Sequence, residues 1–437
     1  MAGKKIQAQL TPEEKLQQAL VPEAEQPYKV PTNWCWTKLG KVTNVIMGQS
    51  PNGGSITENE KDTPLIGGAA DMGEKYPEIK RYTNKPTKIS SDEDLIICVR
   101  ATLGKPIFSD GRYCLGRGVA AIRPLVGSRK LYKYFFLNFE QYLFDNATGT
   151  TFAQVNSNIL QKMPLALPPL AEQQRIVERI ESLFAKLDEA KENLQNVLDG
   201  FETRKAAILH KAFTGELTAK WRKQHGISMD SWEEKKLGKI VKNIKDKYEP
   251  TLNNKKCIKY IGLEHIEKNN GIIGFGSSDD VKSLKTIFEL GDILYGKLRP
   301  YLNKHDIAKF SGICSTDILV YRAEDFNTAK FINYFMNTEK FIFYTVSNSK
   351  GINLPRISEK EVSGILVNVP TLSEQSEIVR IIDGLFAKEQ QAKELAENVL
   401  AKIDLIKKAI LARAFRGELG TNNPADEPAV ELLKRVL

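Results

Sequence analysis

Two small polar segments occupy corresponding places in the two halves of this 437-residue chain. The first begins at Thr148 and Gly149, and the second begins 202 residues later at Lys350 and Gly351. Glycine makes such segments flexible, and Asn, Gln and Arg side chains can hydrogen-bond phosphates and base edges. These residue types predict contacts with a nucleic acid rather than acid-base catalysis. The candidate residues of the two segments are Thr150, Thr151, Gln154, Asn156, Lys350, Asn353 and Arg356.

Two further stretches, CVRATLGK and GKLRPYLNK, are predicted to be basic loops. Their ammonium and guanidinium groups suit contacts with phosphates. For each single residue an ordinary solvated charge is the alternative, so the prediction rests on the two sets taken together. The candidates in these loops are Arg100, Lys105, Lys297, Arg299 and Lys304.

The net charge of the chain is +9, and its distribution is uneven. Residues 32–168 carry +5 and residues 221–370 carry +6, whereas the remainder sums to −2. Positive charge on two separate blocks is expected of two polyanion-binding domains. A basic surface that only keeps the protein in solution is the alternative.

The sequence lacks the patterns of common catalytic sites. Its four histidines show no metal-ligand spacing. An adenine methyltransferase is expected to carry Asn or Asp followed by Pro-Pro and an aromatic residue, and the sequence has no such motif. The stretch from Gly291 to Lys297 fits the start of a phosphate-binding P-loop, but Leu298 replaces the hydroxyl residue that holds magnesium. The stretch from Gly116 to Ala121 only weakly resembles a dinucleotide loop. We therefore expect a non-catalytic chain that binds no metal or cofactor itself.

Cysteine content and hydropathy bound the environment of the protein. The five cysteines are odd in number and form no CxxC pair, which argues against a disulfide framework or a zinc ribbon. No apolar run approaches the ~18 residues needed to span a bilayer. We expect a soluble, cytoplasmic protein with reduced thiols and no membrane partner.

An internal repeat organises the chain. The segment from Leu170 to Leu217 recurs from Leu372 to Leu419, and roughly half of its 48 positions are identical. A fainter repeat relates Trp34 to Trp232 at an offset of 198 residues. Between these anchors the halves diverge, which indicates that the repeated parts share one task and the divergent parts perform two different ones.

Each repeated segment has the apolar spacing of a coiled-coil helix. We expect a continuous helix from Glu172 to Leu209, a capping box formed by Thr371 and Glu374, and helix ends at Gly215 and Gly417. Antiparallel pairing of the two copies within the chain is favoured, and dimerisation of two chains is the alternative. The predicted seam and partner-docking residues are Ile176, Ile180, Leu183, Leu187, Leu194, Val197, Ile378, Ile382, Leu385, Val399, Ile403 and Ile406.

The divergent blocks are predicted to be mixed α/β (α+β) domains. Apolar runs such as Asp94–Val99 and Asp292–Tyr295 indicate strands, and 133–144 and 331–346 indicate helices. The expected architecture is two such domains separated by two long antiparallel coiled-coil helices, with internal pseudo-two-fold symmetry. The predicted divisions are an N-terminal helical segment (1–30), a first domain (31–168), a first spacer helix (169–220), a second domain (221–370), and a second spacer helix with a C-terminal tail (371–437).

Several segments resemble those of the specificity subunits of type I restriction-modification enzymes. The resemblance covers nearly the whole chain, but Ala101 stands where a glycine commonly follows the arginine. The segments are PPLAEQQRIVERIESLF, AFTGEL, AFRGEL, DLIICVRATLGK, GDILYGKLRPYLNK, and GICSTDILVYR followed by LPRIS.

The resemblance implies that each divergent domain is a target-recognition domain for one half of a bipartite double-stranded DNA site. The helices would set the spacing between the half-sites and dock two methyltransferase subunits, and restriction-translocase subunits would join that core. S-adenosylmethionine, ATP and Mg²⁺ would bind to these partners. A stand-alone nuclease or methyltransferase and a pure coiled-coil scaffold are the alternatives.

Overall fold

The computed structural model describes residues 10–149, 152–250, 258–268 and 270–437. The candidates Thr150 and Thr151 therefore lie outside the described residues. The chain forms two compact units, which are Met1–Asn193 with Val399–Leu437, and Leu194–Asn398. This division cuts through the long helices, whereas the predicted divisions follow the helix ends.

The first half of the chain combines short helices, small sheets and one long helix. Its helices are α1 (Pro12–Ala19), α2 (Leu39–Val42), α3 (Arg129–Asn138), α4 (Glu140–Asp145), α5 (Ser157–Lys162) and α6 (Leu170–Asp199). Its strands are β1 (Cys35–Lys38), β2 (Thr43–Met47), β3 (Ile56–Thr57), β4 (Thr63–Ile66), β5 (Tyr82–Thr83), β6 (Leu95–Arg100), β7 (Thr102–Phe108), β8 (Cys114–Leu115), β9 (Val119–Pro124) and β10 (Pro164–Leu167).

The second half repeats this plan, and its repeated helix α12 is longer than α6. Its helices are α7 (Phe201–Phe213), α8 (Ala219–His225), α9 (Phe326–Phe335), α10 (Glu339–Ser347), α11 (Glu359–Ser363), α12 (Leu372–Phe415) and α13 (Ala429–Val436). Its strands are β11 (Glu233–Lys236), β12 (Lys242–Ile244), β13 (Lys247–Tyr248), β14 (Lys259–Ile261), β15 (Ile266–Glu267), β16 (Gly271–Ile272), β17 (Gly276–Ser277), β18 (Lys285–Phe288), β19 (Ile293–Gly296), β20 (His305–Ile307), β21 (Gly312–Cys314), β22 (Ile318–Arg322) and β23 (Leu366–Val369).

The central sheet has the same strand order in both units. A four-stranded antiparallel sheet has the order β2-β9-β6-β7 in the first unit and β12-β22-β19-β20 in the second. A two-stranded sheet, β1-β10 or β11-β23, precedes each repeated helix segment. Strands β6 and β19 are buried almost throughout, which explains why their sequences are continuous apolar runs. The predicted α/β class with long helices is confirmed.

The predicted helices 133–144 and 331–346 are each interrupted. In the first unit the break lies at Phe139, between α3 and α4. In the second unit Thr338 caps α10 by accepting a hydrogen bond from the Phe341 backbone N–H. A cap of this kind starts a new helix, so the aromatic runs form helix pairs that pack on the central sheets.

The long helices pair in antiparallel fashion within each unit. In the first unit, Lys407 of α12 donates to the Asp188 carboxylate of α6. In the second, Arg204 of α7 bonds Glu389 of α12 at 2.8 Å. Gly200 separates α6 from α7 and retains helical dihedrals, so the continuous helix predicted to Leu209 has one local interruption. The favoured pairing of the two repeats within one chain is therefore present.

The predicted seam is only partly correct. The buried seam residues are Ile176, Ile180, Ile378, Ile382 and Ile403. The half-buried ones are Leu183, Leu187, Leu194 and Leu385. Three are exposed, so the prediction of a seam within the chain is wrong for Val197, Val399 and Ile406, and their contact with a partner stays a prediction.

The helical repeat length explains this error. Along the second part of α12 the inward positions are Ala396, Leu400, Ile403, Lys407, Leu411 and Ala414. Their mean spacing is about 3.6 residues, the value of a straight α-helix. A strict heptad requires 3.5 residues per turn, and a straight helix drifts away from that pattern by ~20° in each heptad. The heptad therefore loses register with the buried face.

A buried histidine makes the second unit sensitive to pH. His305 on β20 hydrogen-bonds the side chains of Asn333 at 2.7 Å and Asn337 at 3.2 Å. Burial lowers the pKa of His305 below its usual 6.5, despite the opposing effect of these hydrogen bonds. As the pH falls below 6.5, the unfolded chain therefore takes up a proton more readily than the folded chain does, and stability is lost.

We expect the urea midpoint of the full chain to be lower at pH 5.5 than at pH 7.5. Titration of His305 should lower the unfolding free energy by up to ~1.4 kcal/mol for each pH unit. His305→Gln keeps a hydrogen-bonding side chain and removes the titration, so its midpoint should depend less on pH. Equal pH dependence in the variant and the wild type would contradict this assignment.

Candidate nucleic-acid interface

The first candidate loops lie against each other at one end of the central sheet of the first unit. The β6-β7 hairpin turns at Ala101, whose N–H donates to the Ala153 carbonyl at 2.9 Å. Val155 donates to the Val99 carbonyl at 2.9 Å. Thr148 and Gln154 exchange two backbone hydrogen bonds that close the second loop. We call residues 100–105 together with the described residues 148–149 and 152–154 loop pair 1.

The second unit builds the same arrangement from different residues. Arg299 donates its backbone N–H to the Pro355 carbonyl at 2.7 Å, and Ile357 donates to the Lys297 carbonyl at 3.0 Å. Lys350 and Arg356 exchange two backbone hydrogen bonds. We call residues 297–304 together with 350–356 loop pair 2.

Every one of these backbone hydrogen bonds has a counterpart in the other unit. The hairpin positions correspond at an offset of 198 residues, and the second loops correspond at 202. The side chains at matched positions differ: Ala101 corresponds to Arg299, and Gln154 corresponds to Arg356. One backbone scaffold therefore presents two unlike sets of polar side chains.

Both hairpins hold non-glycine residues in the left-handed backbone region, again at matched positions. Ala101 and Arg299 have φ of 60° and 52°, and Lys105 and Asn303 have φ of 47° and 40°. Left-handed backbone costs about 1–2 kcal/mol for an L-residue with a side chain. Strain of this kind tends to cluster at functional sites, where the surrounding structure maintains it.

Glycine substitution should relieve this strain. We expect Ala101→Gly to raise the unfolding free energy by about 0.5–1 kcal/mol, because the relief exceeds the added backbone entropy of glycine. Arg299→Gly should stabilise the second unit similarly while it removes a guanidinium group. Urea unfolding measures both effects, and destabilisation by Ala101→Gly would show that the turn is not strained.

The structure assigns local roles to several predicted site residues. Lys105 and Lys304 each donate an ammonium hydrogen bond to a backbone carbonyl, of Met72 at 2.8 Å and Leu263 at 2.7 Å. Asn156 caps α5 by accepting from the Ile159 N–H at 3.0 Å. For these three residues the side chain stabilises the fold of the loops. The candidates that the structure leaves exposed on the loop pairs are Arg100, Lys105, Arg299, Lys350, Asn353 and Arg356, whereas Gln154, Lys297 and Lys304 are half-buried.

Arg356 is oriented by a residue that sequence analysis missed. Its guanidinium bonds the Asp317 carboxylate at 2.6 Å, and the Asp317 carbonyl accepts the Lys297 N–H at 2.9 Å. Burial, with the nearby Arg356 and Lys247 charges, lowers the pKa of Lys297, while Asp317 opposes that shift. The cations of loop pair 2 thus lie close enough to repel one another, which favours a polyanion as their ligand. No sequence signal marked Asp317, because it lies about forty residues from Arg356 in the chain.

Buried carboxylates hold the start of each long helix to its neighbouring domain. Glu374 of α12 accepts hydrogen bonds from Trp232 Nε1 at 3.0 Å, Thr218 Oγ1 at 2.6 Å and Arg222 Nη1 at 2.5 Å. The predicted capping box of Thr371 and Glu374 is therefore wrong, because Glu374 turns inward to these donors. The residues brought together here come from α12 and from the segment that follows α7.

The first unit has an equivalent cluster without an arginine. Glu172 of α6 accepts from Trp34 Nε1 at 2.7 Å, Asn422 Nδ2 at 2.8 Å and Thr421 Oγ1 at 3.1 Å. The repeated Trp34 and Trp232 of the sequence are thus indole donors to matched glutamates. In both units a repeated tryptophan and a repeated glutamate thus connect the domain that carries the loop pair to a long helix by a buried polar contact.

A family model agrees with this division of the chain. The model is described as the type I restriction modification DNA specificity domain, and it matches residues 31–199 and 229–399. It thus occurs twice and covers more than half of the sequence. In the described part of the chain, no helix is long and apolar enough to cross a membrane.

Relatives that match over most of their length are named as specificity subunits of type I restriction enzymes. The chain is 27% identical over 429 residues to the type I restriction enzyme EcoDI specificity subunit of Escherichia coli, with 92% of each chain covered. It is 25% identical over 457 residues to the EcoKI specificity subunit of Escherichia coli strain K12, again with 92% of each covered. The HsdS subunit of Thermoanaerobacter tengcongensis has a similar fold, with a TM-score of 0.66 at 19% identity over 90% of this chain and 100% of that chain.

Proposed function

Because this chain belongs to the family of type I restriction-modification DNA specificity proteins, we propose that it is the non-catalytic, DNA-reading subunit of such an enzyme. Each unit carries one specificity domain and one loop pair. Each loop pair would therefore recognise one half of a bipartite double-stranded DNA target.

The matched backbone of the two loop pairs is the observation that supports this proposal. A shared scaffold offers the same approach to DNA twice, while the differing side chains allow two different base sequences to be recognised. Arginine pairs best with guanine and glutamine with adenine. The replacement of Gln154 by Arg356 at the same scaffold position is thus the kind of change that would distinguish two half-sites.

Charge supports the choice of ligand. Loop pair 2 carries Lys297, Arg299, Lys350 and Arg356 within two short segments. Phosphate contacts of such residues supply most of the affinity of DNA-binding proteins and position the base-reading side chains. Loop pair 1 is less cationic, so it should rely more on neutral hydrogen bonding.

We further propose the partners of this subunit. The relatives are named as parts of type I restriction enzymes, so this chain would assemble with two methyltransferase subunits on its long helices. Restriction-translocase subunits would join through that core. S-adenosylmethionine, ATP and Mg²⁺ would be held by those partners rather than by this chain.

Methylation mapping of a host that expresses this chain with its cognate methyltransferase subunit tests the proposal. We expect one bipartite motif with two unlike halves separated by unspecified bases. Omission of this chain should abolish the motif. A continuous motif, or methyl transfer by the purified chain alone, would instead favour a stand-alone enzyme.

The helices are proposed to set the number of unspecified bases between the half-sites. Four residues inserted in α7 and four at the matched place in α12 lengthen each helix by ~6 Å. Since DNA rises 3.4 Å per base pair, the unread gap should grow by about one or two base pairs. Insertion of the same residues in the loop after α12, at Gly420, is the control. An unchanged gap in the helix variant would contradict the proposed role.

A further inference from the structure

The tip of the second loop in loop pair 2 exposes two aliphatic side chains. Ile352 is 99% exposed and Leu354 is 57% exposed. They lie in a short hairpin that Lys350 and Arg356 close with two backbone hydrogen bonds. An isoleucine with nearly its whole side chain in water forgoes the stabilisation that burial would bring.

The tip is held in this shape by its backbone. Gly351 has φ of 103°, and a Cβ atom placed on it would lie 3.0 Å from the Leu354 carbonyl oxygen. A side chain at this position would thus be strained and crowded. In this turn the side chains of Ile352 and Leu354 project into solvent.

The first unit has an apolar residue at the matched place. Phe152 corresponds to Leu354 at the offset of 202 residues and is 69% exposed. Gly149 corresponds to Gly351 and has φ of 106°. An exposed apolar side chain beside a left-handed glycine is therefore a feature of both loop pairs, although the residue types differ.

We propose that Ile352, with Leu354, enters the DNA as an apolar wedge that unstacks a base step in or beside the second half-site, and that Phe152 does the same at the first. This inference rests on the proposed DNA-reading function. DNA-binding proteins combine cationic contacts to phosphates with Phe, Leu, Ile or Met side chains inserted between base steps. The cations that close the loop, Lys350 and Arg356, would hold the flanking phosphates.

The adjoining Lys350 disfavours a protein partner at this tip. The centres of protein-protein interfaces are depleted of lysine, and an apolar hot spot is usually surrounded by residues that exclude water. Here two cations flank the aliphatic side chains within seven residues of chain. A DNA duplex satisfies both the cations and the apolar groups, since its backbone is anionic and its base faces are apolar.

The test uses the assembled complex of this chain with its methyltransferase subunits, bound to a duplex that carries the mapped target. 2-Aminopurine replaces, one at a time, each adenine in and beside the second half-site except the methylated one. An inserted wedge should raise the fluorescence of 2-aminopurine several-fold at the base step that it unstacks. Ile352→Ala with Leu354→Ala should abolish that rise and weaken binding about tenfold, the effect of losing the burial of one aliphatic side chain.

Two control variants make the result specific. Leu290→Ala removes a comparably exposed leucine that precedes β19, at the opposite end of that strand from loop pair 2, and should leave the signal intact. Phe152→Ala should leave the second half-site signal intact and alter only the first. Alanine at the exposed tip removes no buried contact, so assembly of the complex should be unchanged in size-exclusion chromatography.

Three results would overturn the wedge. The first is a wild-type complex that binds and methylates the target without a fluorescence change in the second half-site. The second is an unchanged signal in the double variant. The third is loss of methyltransferase subunits from the double variant, which would make the tip a protein-docking surface. Failure of the wild-type complex to bind any bipartite duplex would instead reject the proposed function itself.

Discussion

Arg222→Ala should destabilise the second unit by about 3–5 kcal/mol, because it leaves the buried Glu374 carboxylate without its counter-charge. The Arg222 side chain is 9% exposed and that of Glu374 is fully buried. Arg222 also donates to the Gly215 carbonyl at 2.6 Å, which ties the end of the α7 segment into the same cluster. Urea unfolding of the full chain measures the loss.

Two companion variants identify the cause of the stability loss in Arg222→Ala. Arg222→Ala combined with Glu374→Gln should recover much of the stability, because a neutral amide tolerates burial better than an unpaired carboxylate. In the first unit, Asn422→Ala removes a neutral partner of Glu172 and should cost only about 1–3 kcal/mol. If Arg222→Ala unfolds at the wild-type urea concentration, the Arg222–Glu374 ion pair does not stabilise the helix start.

Replacement of Lys297, Arg299 and Arg356 by alanine should weaken binding of the target duplex by at least about a hundredfold, since each phosphate or base contact contributes about 1–3 kcal/mol. All three belong to loop pair 2 and contribute positive charge to one scaffold. The Lys297 and Arg299 backbone groups that join the loops remain in the variant, so the loop pair should keep its shape. Fluorescence anisotropy of the assembled complex measures the affinity.

Salt dependence separates charge from specificity in this experiment. If all three side chains contact phosphates, the slope of log K against log salt should fall by about three. Lys309→Ala removes an exposed lysine that follows β20, away from loop pair 2, and should change affinity little. Methylation mapping should show the second half of the motif degraded and the first half kept. Loss of the first half instead would contradict the assignment of loop pair 2 to one half-site.

The repeated organisation of this protein can be read from its amino-acid sequence alone. The recurrence of Leu170–Leu217 at Leu372–Leu419, together with the apolar spacing, predicted two long helices that pair within the chain. Continuous apolar runs identified the central strands, because buried strands must be apolar on both faces. The polar and basic stretches identified the loops that the structure joins into two loop pairs, because flexible, donor-rich residues are suited to polyanion contact.

The contacts of individual side chains, in contrast, depend on how the folded chain packs. Asp317 bonds Arg356 and Glu374 bonds Arg222 across more than 35 residues of chain, so neither pairing has a local signature. Lys105, Lys304 and Asn156 bond nearby loop and helix backbone, which gives their side chains a local structural role. Seam positions such as Ile406 became exposed because a straight helix departs from the heptad repeat. Local composition and periodicity specify elements, but hydrogen-bond partners depend on which backbone groups the folded chain brings within about 3 Å.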